Sequence, residues 1–171
     1  MNREWIRRPS AALAMGVGAL VVALVPAVAL GAGNGLQSVA GSGWRGTVSH
    51  PTTPITHFAV RAQDGPRGVS GTYSSMNSGN PLLNFNGKIT CLYVAGDHAI
   101  VGGVVTSGGE PGQVGTGFAI GFIDNPSPAP DTVTFSDVEL GTPVDCAAET
   151  SLFTLETFAV LDGNVVVSDG S

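Results

Sequence analysis

The stretch from Leu82 to Val105, LLNFNGKITCLYVAGDHAIVGGVV, constrains the chain more than any other. Two apolar runs flank Ala95-Gly96-Asp97-His98. A two-residue turn with Gly first matches the twist of the strands it joins, so the stretch reads as a β-hairpin about Gly96-Asp97. That register pairs Tyr93 with Ile100, Cys91 with Gly102 and Ile89 with Val104. Strand side chains alternate between faces. Leu83, Phe85, Ile89, Cys91 and Tyr93 then share a face with Ile100 and Val104, which is the expected core face. The opposite face starts polar at Asn84, Asn86, Lys88 and Thr90 and turns apolar at Leu92, Val94, Val101 and Val105. Something must cover that second face near the turn. Gly102 opposite Cys91 leaves room for a bulky neighbour such as a disulfide. A slip of one residue would exchange the two faces.

The same grammar repeats along the chain. Trp44 to Val48 reads as a first short strand, after a small and polar lead-in. Ile55 to Arg61 alternates with Phe58 and Val60 inward, and Gly68 to Met76 puts Val69 and Tyr73 on one face. In Val114 to Asp124, Phe118, Ile120 and Phe122 share a face, and Gly117, Ala119 and Gly121 share the other. A large face belongs in a core. A face of Gly and Ala admits another backbone or marks a bent strand in a closed sheet. Asn125 to Pro130 holds too much proline for a helix or a central strand. Asp131 to Val138 alternates with Val133 and Phe135 inward. Leu152 to Leu161 and Val165 to Ser168 read as a last hairpin across Asp162-Gly163-Asn164. Charged residues make up only 12% of the chain and glycine is abundant, a composition that favours strands over helices. The expected fold is all-β: one antiparallel β-barrel or β-sandwich of about eight or nine strands.

Residues 1–29 are of another kind. A basic start (Arg3, Arg7, Arg8) precedes an apolar run from Ala11 to Leu30, with Pro26 and the small residues Ala27-Val28-Ala29 at cleavage spacing. This is the pattern of a signal peptide with a helical apolar segment. The run is also long enough to remain as an uncleaved anchor, the sole membrane contact the sequence offers. The expected organisation is therefore a signal segment at 1–29, a flexible lead-in at 30–43 and a β domain at 44–171, secreted or held at the extracellular surface.

The net charge is −6, and loss of the signal segment makes the chain more acidic still. Arg45, Arg61, Arg67 and Lys88 are scattered, whereas a phosphate backbone requires clustered cations, so nucleic acid is excluded as a partner. Cys91 and Cys146 are the only cysteines, and in an exported chain they are expected to form one disulfide. His50, His57 and His98 make no spaced metal motif. Neither G-x-S-x-G nor S-x-x-K is present, and no catalytic residue, metal site or cofactor is assigned. Asp124, Asp131, Asp137, Glu139 and Asp145 read as a solvated acidic rim, with Ca²⁺ coordination as the alternative. Trp44 and Tyr73, with the Asn/Ser/Gly loops, are candidate contacts for an extracellular ligand or cell-wall component.

From Ser70, SGTYSSMNSGNPLLNFNGKIT resembles a strand pair of the avidin and streptavidin family, which has G-T-Y-x-S before a Gly-Asn loop and a further strand. That resemblance implies an eight-stranded up-and-down barrel and matches Tyr73 and Ser75 to polar biotin contacts. The family also lines its pocket with tryptophans from later strands, and none follows Trp44 here. Over most of its length the chain is similar to exported proteins of high-GC Gram-positive bacteria. The matching segments are F-x-V-R at Phe58, G-x-x-G-x-Y at Gly68, G-K-I-T-C-L-Y-V-x-G at Gly87 and F-x-I-x-F-I-D-N at Phe118. That resemblance implies compartment and β architecture and carries no activity. The sequence thus points to a non-enzymatic binding or structural module. A small barrel around an apolar ligand is the second reading, and a hydrolase-type enzyme without a recognisable motif the third.

Overall fold

The computed structural model describes residues 36–47, 50–134 and 137–171, so the signal segment and Phe135 lie outside the described residues. The strands are β1 (Ser38–Arg45), β2 (Thr56–Gly65), β3 (Gly68–Asn77), β4 (Phe85–Ala95), β5 (His98–Gly108), β6 (Gly117–Ile123), β7 (Thr132–Thr134), β8 (Asp137–Leu140) and β9 (Thr157–Ser168). From β1 to β6 each strand pairs antiparallel with the next. β7 and β8 lie one after the other along β6. β9 joins β7 to β1 and closes the sheet. The result is an eight-position up-and-down β-barrel, and the sandwich alternative is set aside.

The two ends of the barrel differ. Tight turns at Gly65–Gly68 and Ala95–His98 form the turn end. Longer connections at 46–55, 78–84 and 109–116 form the loop end. An eight-stranded barrel is just wide enough for side chains to fill it, and aromatic rings do so here. Tyr73 stands 5.3 Å from Phe85, 5.8 Å from Phe118 and 6.5 Å from Phe122, and Phe58 stands 5.8 Å from Phe122. Val39, Ile89, Val101, Val105, Ile120 and Val165 complete this interior.

The central hairpin keeps its expected turn but not its expected faces. Tyr93 pairs with Ile100 and Cys91 with Gly102, while Ile89 pairs with Gly103 rather than Val104, because the ladder shifts between Ile89 and Cys91. One extra residue in a strand exchanges the faces beyond it. Phe85, Ile89 and Val94 therefore point inward, and Cys91 and Tyr93 point outward. Leu83 belongs to a short 3-10 turn, Pro81–Leu83, and is exposed.

A second apolar cluster lies outside the barrel wall. Residues 141–156 run over β4, β5 and β6 as a strap and bring Val144, Cys146, Leu152 and Phe153 against Cys91, Tyr93, Ile100 and Ala119. Cys91 and Cys146 are disulfide-bonded, with Cα atoms 5.8 Å apart. The small face of β6 receives the strap: a Cβ on Gly117 would lie 2.7 Å from Val144 Cγ2, and one on Gly121 would lie 3.0 Å from Phe153 Cε1.

Two further expectations are corrected. The first strand begins at Ser38, within the expected lead-in, and not at Trp44. Its glycines fit a close approach to β9: a Cβ on Gly41 would lie 2.4 Å from the Asn164 carbonyl oxygen. The last hairpin is a single strand, because β9 pairs with β1 from Val160 to Ser168 and absorbs Asp162-Gly163-Asn164 next to a register shift. Pairing along the whole of β1 outweighs the local turn preference of Asp-Gly-Asn.

Candidate binding site at the loop end

Buried polar side chains collect at the loop end. β1 ends at Arg45, which pairs across to Thr56 at the start of β2, and Thr56 pairs to Asn77 at the end of β3. Strand alternation turns all three inward, with Ser75 one step further in and Gln113 folding over from the 109–116 loop. Each of the five is at least nine-tenths buried. Asn77 is the organiser of this floor. Its Nδ2 donates to Thr56 Oγ1 at 2.9 Å, and its Oδ1 accepts from the backbone N–H groups of Gly79 and Asn80. Its own N–H donates to Asn84 Oδ1. Gln113 Oε1 has no hydrogen-bond partner among the described residues.

Arg45 is 7% exposed. Its guanidinium carbon sits 4.9 Å from the centre of the Phe158 ring, and Nη1 donates a long hydrogen bond to the Gly46 carbonyl at 3.4 Å. Burial pushes its pKa down from the ordinary value, and the nearby Tyr73 phenol acts in the opposite direction. Nε has no hydrogen-bond partner among the described residues. The one ion-pair geometry among those residues, His98 with Asp97, lies at the other end of the barrel. Around the mouth, Leu82 and Leu83 on the β3–β4 loop and Val114 on the β5–β6 loop are each more than half exposed. These two loops meet where Gly109 N–H donates to the Asn84 carbonyl.

The candidate contacts read from sequence fall on different surfaces. Trp44 is half-buried on the outside of β1 and meets His57 edge-on at 5.2 Å. Tyr73 and Ser75 are buried inside β3, Tyr73 next to Arg45. Arg45 itself is not legible as a site residue, because a strand that starts at Trp44 has no earlier inward residues to mark the face that Arg45 shares.

The acidic loops have structural partners. Asp131 takes the backbone N–H groups of Asn125 and Val165 on its two carboxylate oxygens, at 3.0 and 2.7 Å. Asp124 Oδ2 accepts from Val167 N–H at 3.0 Å, and Asp145 Oδ1 from Ala147 N–H at 3.1 Å. A cleft of about 500 Å³ lies at the turn end between Asp97, Asp124 and Asp169. A groove of about 290 Å³ crosses the outer face of β2, β3 and β4 beside Arg61, Ser74 and Asn86. Among the described residues no group of three or more His, Cys, Asp or Glu side chains is placed to hold a metal ion.

No family model, curated protein or solved structure matches the chain.

Proposed function

We propose that the chain is an exported, non-enzymatic binding module that uses a packed barrel as a scaffold and takes its ligand on the loop end. The observation that carries this reading is the division of the interior. Its middle is filled by mutually packed rings, while the buried polar side chains of β1, β2 and β3 gather beneath an apolar rim at one end. A filled middle weighs against the second reading, in which an apolar ligand lies within the barrel. The donor set at the loop end is a guanidinium, hydroxyls and amides. Such groups hold and orient a partner, and none is suited to exchange protons near neutral pH. Export rests on the N-terminal pattern together with the disulfide. The mature protein is expected to begin near Leu30, which intact mass of the exported material reads directly; a retained Met1 means an anchored chain.

Amide chemical-shift mapping with 1-octanol, a neutral apolar probe, tests the site. Shifts confined to residues 77–84 and 108–116 are expected. Shifts centred on Ile89, Val101 and Ile120 would place apolar ligands inside the barrel and return the second reading. No saturable shift anywhere would end the loop-end reading.

A further inference from the structure

Arg45 is the one described cation that the fold takes out of water; Arg61, Arg67 and Lys88 are all exposed. Removing a guanidinium from water without an opposite charge is strongly unfavourable. Its partners among the described residues are a ring face, a phenol and one carbonyl. None of these neutralises it. A methionine would fill similar space at the barrel end with no such cost.

We propose that Arg45 is the anchor for the acid group of an amphipathic monocarboxylate, whose apolar part rests on Leu82, Leu83 and Val114. The proposal rests on the loop-end reading above and adds the ligand's chemical class. Several features select a carboxylate. Guanidinium donors match a planar carboxylate, and the buried Nε has no hydrogen-bond partner among the described residues. Asn77 donates to Thr56 Oγ1, which leaves the Thr56 hydroxyl proton for a further acceptor. A single buried cation matches one negative charge, and a chain of net charge −6 disfavours a phosphate dianion. The exposed leucines and valine give the rest of the molecule an apolar seat beside a charged floor.

The test compares octanoate, 1-octanol and inorganic phosphate by titration calorimetry and thermal unfolding of the full mature chain. The variants are Arg45→Met and the pair Leu82→Ser with Leu83→Ser. Octanoate is expected to bind the unaltered chain saturably, with phosphate showing no binding. Arg45→Met should weaken octanoate by roughly tenfold or more, the weight of one charge-assisted contact, and leave octanol unchanged. Without ligand Arg45→Met should unfold no earlier than the unaltered chain, whereas an arginine held for structure alone would make it unfold earlier. Octanoate binding Arg45→Met as tightly as the unaltered chain overturns the anchor. In that case weakening by the serine pair would still leave the loop-end reading standing. If the serine pair weakens neither octanoate nor octanol, the loop-end reading itself fails. Should Arg45→Met not fold, the unaltered chain decides alone. Its affinity for octanoate must fall as acid protonates the probe and its affinity for octanol must not, and equal pH profiles sink the proposal.

Discussion

Gly102 lies directly under the bridge that Cys91 forms: a Cβ added to Gly102 would stand 2.8 Å from Cys91 Sγ and 3.0 Å from Cys146 Sγ. The two residues are cross-strand partners, so the missing side chain of one makes room for the sulfur of the other. Val144 Cγ1 closes the same space at 2.8 Å. Gly102→Ala should therefore overpack the strap and destabilise the oxidised protein by about 1–3 kcal/mol in urea unfolding. In a Cys91→Ala, Cys146→Ala background the loss should be smaller, because the two sulfurs are gone and only Val144 Cγ1 still crowds the site. Strict additivity of the changes would mean that Gly102 does not act through the bridge.

The bridge closes a loop of sequence separation 55. On the chain-entropy model, replacing both cysteines by alanine should lower stability by about 4 kcal/mol. The strap has little hydrogen-bonded ladder of its own, so its loss of anchorage should appear before the barrel opens. Limited proteolysis of the double variant should cut within 141–156 while β4, β5 and β6 stay protected. Simultaneous loss of strap and barrel would show one cooperative unit.

Inside the barrel Gly87 plays a similar part for Phe118. A Cβ on Gly87 would fall 2.2 Å from Phe118 Cε1 and 2.5 Å from Cζ, and the ring is held by Tyr73 and Phe85. Gly87→Ala is expected to destabilise by about 1–3 kcal/mol, with Phe118→Leu in the same chain restoring part of the loss. Thermal unfolding of the three variants checks this. No rescue would mean that the strain is relieved by the backbone rather than by the ring.

Much of this fold was legible from alternation alone. The pairs Tyr93–Ile100 and Cys91–Gly102 and the inward set Phe118, Ile120 and Phe122 follow from period-two patterning and turn chemistry, and the bridge follows from there being two cysteines in a chain with an export signal. The errors have a common origin. Where the chain has two apolar surfaces, one inside the barrel and one under the strap, periodicity shows that a face is apolar but not which interior it meets. The bulge between Ile89 and Cys91 moves Tyr93 from one to the other, and no turn residue marks it. Glycine misled in the opposite sense. Gly41 and Gly43 made a paired strand look like a linker, since composition does not reveal that β9 approaches too closely for side chains there. Arg45 is hidden by the same reading, because the residues that share its inward face, Val39, Gly41 and Gly43, fall in the stretch that reads as a lead-in.

The last prediction concerns the seam between β9 and the loop before β7. β7 pairs with β9 only over Thr132–Thr134, so the N–H groups of Val165 and Val167 face that seam with no strand opposite. Carboxylates stand in for the absent carbonyls: Asp131 Oδ2 accepts from Val165 N–H at 2.7 Å and Asp124 Oδ2 from Val167 N–H at 3.0 Å. Val165 is fully buried, so its N–H has no water to turn to. Asp131→Ala leaves that donor and Asn125 N–H without their acceptor and should cost about 1–3 kcal/mol. Asp124→Ala acts on a half-buried seam and should cost less. Amide hydrogen exchange separates the two contributions. In Asp131→Ala, Val165 should exchange faster than its β1 partner Gly41, whereas an equal acceleration along both strands would show that Asp131 supports the barrel as a whole and not this seam.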